Sequence, residues 1–259
     1  MSKVFEFFEG STPLLVSVPH DGWQIPADIV QHMSEAGRAI TDTDWHVAEL
    51  YGFVKASGAS MIAANFSRYV VDLNRPADDA ELYPGSNTPG LCPSQTFAGA
   101  DIYLEPIEID RAARVANYWQ PYHDKIRTTL QKLKDQHGHA LLWDAHSIPS
   151  QVPSLFDGEL PVLNIGTWDG RSCAPKLSDA VMAAAGQSDY DAVLNGRFKG
   201  GFITRNYGDP DAGVHALQLE LAQRVYMHER TLEFDREKAD TLRATLRSML
   251  EAYQEAAAQ

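Results

Sequence analysis

The sequence predicts an α/β protein built on one β-sheet with helices on both faces. Predicted strands and helices alternate through most of the chain, which is the pattern of a sheet covered by helices. Short apolar runs bounded by turn residues, such as residues 14–18 and 140–143, are typical of buried strands in such a sheet. The chain has 259 residues, of which 44% are hydrophobic, enough for one large domain with a sizeable core. We therefore expect a single domain over residues 1–259.

The N-terminal part of the chain is predicted to form strands and short helices. A polar cluster at residues 41–44 precedes an apolar pattern with spacings of three and four residues, so the cluster could cap an amphipathic helix. The predicted elements are a strand at 14–18, a helix near 28–36, a helix from 45 to about 57, and strands at 61–65 and 70–73.

Residues 74 to about 103 are rich in proline and glycine and have no clear periodicity. A stretch this long is more often a functional loop than a passive connection. A linker between domains is the alternative. Against a linker, six apolar residues would anchor the loop to the core: Leu82, Tyr83, Leu91, Phe97, Ile102 and Tyr103.

The second half of the chain contains the clearest helix, at residues 107–136. Pro121 interrupts its apolar stripe and predicts a kink or break, and Gly138 is expected to end the helix. The elements predicted after it are a strand at 140–143, a strand at 162–166, a helix at 175–185, a short strand at 193–194, a glycine-hinged loop at 199–208, a strand at 214–221 and a helix from about 235.

Charge and composition exclude several classes of partner. The net charge of −13 argues against binding to nucleic acid or to an anionic membrane surface. The two cysteines, Cys92 and Cys173, form no CxxC pair and fit a reducing compartment. The N-terminus lacks the pattern of a secretory signal, and no run approaches the roughly 18 apolar residues of a membrane span. We expect a cytoplasmic protein that acts on a small substrate.

Two histidine loops, at residues 18–22 and 143–147, follow two of the predicted strands. Catalytic groups in α/β sheets gather beyond the carboxyl ends of strands, so His20 and His146 are expected to form two walls of one metal or catalytic site. A catalytic zinc usually has three protein ligands and one open position. We predict Asp44 as the third ligand, with Asp42 as the alternative; Asp44 could instead only cap a helix. Asp144 could orient His146 or be a ligand itself.

Glu220 is the predicted general base. Alternation along residues 214–221 places it with Ala216 and Gln218 on the face opposite Leu217 and Leu219. A glutamate inside so apolar a strand is costly to bury unless it has a partner or a function. Hydrolysis at a metal needs a group that accepts a proton from water. A structural salt bridge is the alternative.

Three arginines stand at strand ends and loops rather than on helix surfaces: Arg68, Arg75 and Arg205. A planar guanidinium is suited to bidentate binding of a carboxylate. We predict that Asn74 with Arg75 binds one substrate carboxylate and that Arg205 binds another, with Arg68 in reserve. Structural ion pairs are the alternative for each.

Taken together, these residues resemble the N-formylglutamate amidohydrolases, the formylglutamate deformylases of histidine degradation. Any one matching stretch is weak, but their order and number are specific. They are Val16-Ser17-Val18-Pro19-His20-Asp21-Gly22, Thr41-Asp42-Thr43-Asp44-Trp45-His46-Val47, Val71-Asp72-Leu73-Asn74-Arg75, Leu91-Cys92-Pro93-Ser94-Gln95-Thr96-Phe97, Pro121-Tyr122-His123, Asp144-Ala145-His146-Ser147-Ile148, Leu155-Phe156-Asp157-Gly158, Leu163-Asn164-Ile165-Gly166-Thr167 and Gly200-Gly201-Phe202-Ile203-Thr204-Arg205.

The resemblance implies a metallohydrolase domain with a zinc-carboxypeptidase-like (phosphorylase/hydrolase-like) fold, in which a mixed β-sheet is flanked by helices on both faces. It implies zinc-dependent hydrolysis of N-formyl-L-glutamate to formate and L-glutamate, with zinc held by His20, an acidic residue and His146. Carboxypeptidases carry an HxxE motif, whereas Trp23 stands three residues after His20, so the acidic ligand must come from elsewhere. The same ligand types also serve iron and cobalt. The alternatives are a hydrolase of another N-acyl amino acid and a non-catalytic metal- or ligand-binding protein.

Overall fold

A seven-stranded mixed sheet forms the centre of the protein. The structure, a computed structural model, describes residues 3–82 and 89–259. The strands of the sheet are β1 (Phe5–Phe8), β2 (Leu14–Val18), β3 (Ser60–Ala64), β4 (Ala140–Ile148), β5 (Leu163–Gly166), β6 (Ala192–Leu194) and β7 (Val214–Ala222). A separate ribbon pairs β8 (Met227–His228) with β9 (Glu233–Phe234).

The order of strands across the sheet is β1-β3-β2-β4-β7-β5-β6. The four central strands β3, β2, β4 and β7 are mutually parallel, so their carboxyl ends meet at one edge. β1 and β5 pair antiparallel with their inner neighbours, β3 and β7. The predicted mixed sheet is therefore confirmed, and strands from both ends of the chain enter it.

The helices are mostly short, and the long ones are α5 and α8. They are α1 (Ala27–Val30), α2 (Glu35–Arg38), α3 (Val47–Leu50), α4 (Arg111–Arg114), α5 (Gln120–His137), α6 (Pro175–Ala185), α7 (Phe202–Tyr207) and α8 (Arg236–Ala258). Within the described ranges, no helix has the length and apolar character needed to cross a bilayer.

Alternate residues of the central strands build two hydrophobic cores, one on each face of the sheet. Val16, Trp143 and Leu217 point into one core, which is covered by α3, α6 and α8. Leu15 and Leu142 point into the other, which is covered mainly by α5. Both faces are thus covered by helices, as the alternating strand and helix patterns predict.

The predicted strand at residues 70–73 is wrong. Residues 68–70 form a turn, and the backbone N–H of Asp72 bonds to the carbonyl of Leu91 in the long loop rather than to a strand. Val71 and Leu73 are buried in a core. The apolar character of the segment therefore reflects burial without strand pairing.

Two predicted helices are shorter than their patterns suggested. Residues 28–36 contain parts of two single turns, α1 and α2. The helix predicted at 45–57 begins at Val47, after His46 in the left-handed region (φ 64°), and continues as a 3₁₀ turn over Tyr51–Lys55. The polar cluster at 41–44 provides no side-chain cap for this helix, because its members bond elsewhere.

Pro121 coincides with an irregularity in the long helix. The helix starts as α4, passes through a π-helical turn over Val115–Trp119, and continues as α5 to Gly138, whose φ of 80° ends it. A proline cannot donate to the carbonyl four residues before it. The π turn widens the helix immediately before this position, so the predicted distortion takes the form of a bulge.

The segment predicted as a glycine-hinged loop at 199–208 contains a helix, because α7 begins directly after Gly201. A Cβ at Gly201 would lie 2.3 Å from Nδ2 of Asn74, so only glycine permits this approach. The backbone N–H of Ile203 then bonds to Oδ1 of Asn74 at 2.8 Å.

The described parts of the long loop, residues 74–82 and 89–103, contribute to the hydrophobic core. Leu91, Ile102 and Tyr103 are buried in two hydrophobic clusters. Tyr83 lies outside the described residues, so its predicted anchoring role is not assessed by this structure.

Candidate metal and catalytic site

His20, Asp44 and His146 lie together where the parallel strands end. His20 follows β2, His146 lies near the end of β4, and Asp44 precedes α3. Nδ1 of His146 is 3.0 Å from Oδ2 of Asp44, and Nδ1 of His20 is 3.7 Å from the same oxygen. One ligand atom from each residue lies within 4.8 Å of the others. We call these three residues the ligand cluster.

The outer nitrogen of each imidazole is held by a buried carboxylate. Nε2 of His20 is 2.7 Å from Oδ1 of Asp72, and Nε2 of His146 is 3.0 Å from Oδ2 of Asp144. Donation of both Nε2–H groups to these carboxylates leaves each Nδ1 lone pair directed toward Asp44. Nδ1 of His20 is buried and has no hydrogen-bond partner among the described residues.

Such an arrangement fits a bound cation. A lone pair facing a carboxylate oxygen in a buried site is repulsive unless a positive charge lies between them. Burial lowers the pKa of His146, but Asp144 and Asp44 outweigh it and raise this pKa well above its usual range. Two imidazoles and one carboxylate are the donor set of many catalytic zinc sites.

The structure places Asp44, rather than Asp42, beside the two histidines. Oδ2 of Asp42 accepts from the backbone N–H of Phe97 at 2.8 Å. Oδ2 of Asp44 accepts from the backbone N–H of Ser147 at 3.1 Å. The side chain of Asp44 does not cap α3, whose N-cap residue is His46.

Glu220 is the neighbour of His146 in the β4–β7 pairing and lines the same cavity. Burial raises the pKa of Glu220 to about 8, although His146 opposes this rise. Its nearest side-chain partner is Gln218, with a long Nε2···Oε2 distance of 3.4 Å. No ion pair to Glu220 occurs within the described ranges, which removes support for a structural salt bridge. A buried carboxyl group with a pKa near neutrality is suited to general-base work.

A cavity of about 180 Å³ opens above the ligand cluster and Glu220. Its floor is polar and includes both histidines, Asp44 and Glu220. Its wall is largely apolar, and we define this apolar wall by Pro89, Phe97, Ile148, Leu155 and Phe198. The cavity therefore combines reactive polar groups with a surface suited to methylene groups.

Asn74 and Arg75 both line this cavity. Nδ2 of Asn74 is 3.0 Å from Nε2 of His146. The guanidinium of Arg75 donates through Nε to the carbonyl of Pro89 at 2.8 Å and through Nη1 to that of Asn74 at 2.9 Å. These partners are neutral carbonyls, and among residues 3–82 and 89–259 no carboxylate forms an ion pair with Arg75.

Arg68 also lines the cavity, but it is held by two carboxylates. Its Nη2 is 2.7 Å from Oδ2 of Asp72, and its Nη1 is 3.7 Å from Oδ1 of Asp44. Arg205 is absent from the described lining. Its Nε donates to the carbonyl of Gly200 and its Nη1 to that of Leu82, both at 2.9 Å. The structure thus brings Asn74, Arg75 and Arg68 to the ligand cluster and leaves Arg205 outside the described lining.

Three further residues of the site were missed by sequence reasoning. Asp72 lay in an apolar run that was assigned to a strand, and its contact with His20 spans 52 residues of sequence. Gln218 shares the face of Glu220, so the alternation that identified Glu220 also pointed to it. Arg197 lines the cavity from the segment between β6 and α7, where the sequence carries no periodic signal.

Comparison with known proteins places this chain in one family. A family model described as N-formylglutamate amidohydrolase matches residues 12–227. An N-formylglutamate deformylase from Pseudomonas aeruginosa is 49% identical over 97% of this chain and 96% of its own, and one from Pseudomonas putida is 45% identical with the same coverage. The crystal structure of N-formylglutamate amidohydrolase from Ralstonia eutropha JMP134 superposes with a TM-score of 0.82 at 26% identity, covering 97% of this chain and 96% of that one. The chain therefore belongs to the N-formylglutamate amidohydrolase family.

Proposed function

We propose that this protein is a zinc-dependent amidohydrolase that converts N-formyl-L-glutamate to formate and L-glutamate, a late step of histidine degradation. The observation that carries the proposal is the buried ligand cluster, in which Nδ1 of both imidazoles faces one carboxylate oxygen of Asp44 and Glu220 lies beside His146. Two relatives with 45% and 49% identity are named N-formylglutamate deformylase, which supports this substrate. Residues 1–259 would act as one metallohydrolase domain.

His20, Asp44 and His146 would hold the metal through Nδ1, Oδ2 and Nδ1. When bound, zinc would polarise the formyl carbonyl and acidify a water molecule. Asp72 and Asp144 fix the tautomer of each imidazole by accepting its Nε2–H, so that each Nδ1 stays available as a ligand.

Glu220 would move the proton that the reaction requires. Its carboxylate accepts a proton from the attacking water and then donates it to the nitrogen of the leaving amine, because that nitrogen must be protonated as the amide bond breaks. The pKa of about 8 favours a carboxyl group that can both bind and release a proton near neutral pH.

Positive charge in the cavity would hold the substrate carboxylates against the negative net charge of the protein. Arg75 with Asn74 is proposed to bind the α-carboxylate, because Asn74 contacts the imidazole of His146 and so lies beside the reacting centre. Arg68 is held by Asp72 and Asp44, so it would stay in reserve. A direct contact from Arg205 to substrate stays a prediction.

The apolar wall supports one alternative, hydrolysis of an N-acyl amino acid with a larger acyl group or an apolar side chain. Side-by-side assays of N-formyl-L-glutamate, N-formyl-L-aspartate, N-acetyl-L-glutamate and N-formyl-L-methionine decide between the two. We expect the highest kcat/KM for N-formyl-L-glutamate. Faster turnover of any other compound would replace the proposed substrate.

Elemental analysis of the purified protein, run with these assays, tests the metal. About one equivalent of zinc per chain is expected for a site with three protein ligands. A protein that carries its metal and hydrolyses none of these compounds would instead be a non-catalytic binding protein on this fold.

A further inference from the structure

One arginine of the cavity has a guanidinium without a partner among the described residues. Arg197 lines the cavity from the segment between β6 and α7, and its side chain is exposed. The hydrogen bonds and ion pairs of residues 3–82 and 89–259 include none to Arg197. A guanidinium that faces a cavity without a protein acceptor is free to bind a carboxylate.

The other two arginines of the cavity differ from Arg197 in this respect. Arg68 is compensated by Asp72 and Asp44 and is 8% exposed. The guanidinium of Arg75 donates to two backbone carbonyls, and these hydrogen bonds hold it close to Asn74. The cavity therefore holds one compensated arginine, one arginine fixed beside the reacting centre, and one unpaired arginine.

The backbone that carries Arg197 is held on both sides. The N–H of Asn195 donates to the carbonyl of Ile165 at 2.7 Å, and the N–H of Trp168 donates to the carbonyl of Lys199 at 2.6 Å. The ring of Phe198 packs edge-on against Phe156 at a centroid distance of 6.2 Å. The side chain thus projects from a fixed position, which limits the ordering cost of binding a ligand.

Arg75 and Arg197, the two cavity arginines without an ion pair among the described residues, differ in their position in the cavity, and this difference suggests different roles. Arg75 follows Asn74, which contacts His146, so Arg75 suits the carboxylate nearest the scissile amide. Arg197 is exposed, and its neighbour Phe198 belongs to the apolar wall, so Arg197 suits a carboxylate several bonds further out. In glutamate the α-carbon and two methylene groups separate the two carboxylates, and the apolar wall would face the methylene groups.

We propose that Arg197 binds the side-chain carboxylate of the substrate and determines the preference for glutamate over neutral amino acids. This inference rests on the proposed function, because it takes N-formyl-L-glutamate as the substrate. It assigns to Arg197 the role that sequence analysis gave to Arg205.

Steady-state kinetics of Arg197→Ala on two substrates test the proposal. N-formyl-L-glutamine has nearly the shape of N-formyl-L-glutamate but no side-chain charge. We expect kcat/KM for N-formyl-L-glutamate to fall by about tenfold to a hundredfold, mainly through KM, and kcat/KM for N-formyl-L-glutamine to change less than about threefold. Arg197→Lys keeps the charge without the bidentate geometry and should retain an intermediate preference.

Arg171→Ala is the matched control. Arg171 is also an exposed arginine of a nearby loop, but it stacks over Trp168 and does not line the described cavity. Its variant should keep the wild-type preference.

The outcomes distinguish failure of the proposed role of Arg197 from failure of the proposed function. An equal loss on both substrates in Arg197→Ala, or an unchanged preference, would overturn the role of Arg197 while the proposed function stands. A metal-loaded wild-type protein that does not hydrolyse N-formyl-L-glutamate would overturn the proposed function and this inference with it.

Discussion

His146 and His123 are both fully buried, yet their surroundings favour opposite charge states. His146 lies between Asp44 and Asp144, which raise its pKa well above the usual range despite burial. His123 lies between Trp119, the hydroxyl of Tyr207 and the carbonyl of Leu73. Burial lowers the pKa of His123 to about 3, and its bond to Leu73 only partly opposes this. Burial alone thus does not set the charge of a histidine; the charge of the groups in contact decides it.

The comparison separates the region of the proposed metal site from a structural region. Around His146 the carboxylates are in excess, so a positive charge is required for the region to be stable. Around His123 both ring nitrogens contact neutral groups, and burial disfavours the charged form of the ring. Substitutions in the ligand cluster should have the largest effects on metal binding and activity, and a substitution at His123 should have the smallest.

The largest effect is expected when a member of the ligand cluster is removed. His20→Ala or His146→Ala should lose bound metal and nearly all activity, because two ligands do not hold a catalytic zinc at ordinary concentrations. Elemental analysis and the deformylase assay check this. Asp44→Asn should likewise lose metal, whereas Asp42→Asn should retain it. Full metal retention in Asp44→Asn with loss in Asp42→Asn would mean that Asp42 is the acidic ligand.

Glu220→Gln should separate proton transfer from metal binding. The glutamine keeps the size of the side chain but cannot accept a proton, so kcat should fall by about 10²- to 10⁴-fold. Metal content should match that of the wild-type protein. Near-wild-type kcat in this variant would show that another group is the base.

Asp72→Asn and Asp144→Asn should weaken the metal site without abolishing it. Each substitution removes the carboxylate that fixes one imidazole, and losses of about 10- to 100-fold in metal affinity are typical of such partners. Competition with a chelator measures this affinity. An unchanged affinity in both variants would mean that the ligand cluster keeps its geometry without them.

The smallest effect is expected at His123 and concerns stability rather than activity. The unfolded chain binds a proton at this histidine below a pH of about 6.5, whereas the folded chain does so only below about 3. The folded state is therefore fully stable above about 6.5 and loses stability as the pH falls, by about 2 kcal/mol at a pH of about 5.

Urea unfolding of the metal-free protein tests this dependence. His123→Gln can still donate to the carbonyl of Leu73 but does not titrate, so the change in unfolding free energy between a pH of about 8 and about 5 should be smaller than in the wild type. His137→Gln, at an exposed position, serves as the control and should follow the wild type. Identical pH dependence in all three proteins would refute the buried neutral state of His123.

The parts of the site that were predictable from sequence are those with a local signal. His20 and His146 each follow an apolar strand run, and Glu220 stands out against the leucines of its own strand. Asp72 gave no such signal, because its role depends on a contact with His20, which is 52 residues away in the sequence. Arg197 gave no local signal either, because its proposed role depends on which arginines of the cavity have partners in the folded protein.

In the fold, too, the elements with a local sequence signal were predictable and the others were not. The central strands β2 and β4 were predictable because each contains a short apolar run, and β7 was predictable because leucines alternate with other residues along it. The strand assigned to residues 70–73 and the loop assigned to 199–208 failed where side-chain contacts, rather than backbone periodicity, set the conformation. Asp72 contacts His20 and Asn74 contacts Ile203, both distant in sequence, and α7 forms against Asn74.

The parallel alignment of β2, β4 and β7 places the proposed reactive groups on the strands, apart from the loops that connect them. Because His20, His146 and Glu220 project from or just beyond adjacent strands, their spacing follows from the distance of about 4.8 Å between neighbouring strands. Leu155 and Phe198, by contrast, stand on connections between strands. Exchanging these connections would alter which acyl amino acid is accepted while the spacing of the reactive groups is conserved. The proposed reactive groups and the residues of the apolar wall therefore lie on different parts of the fold.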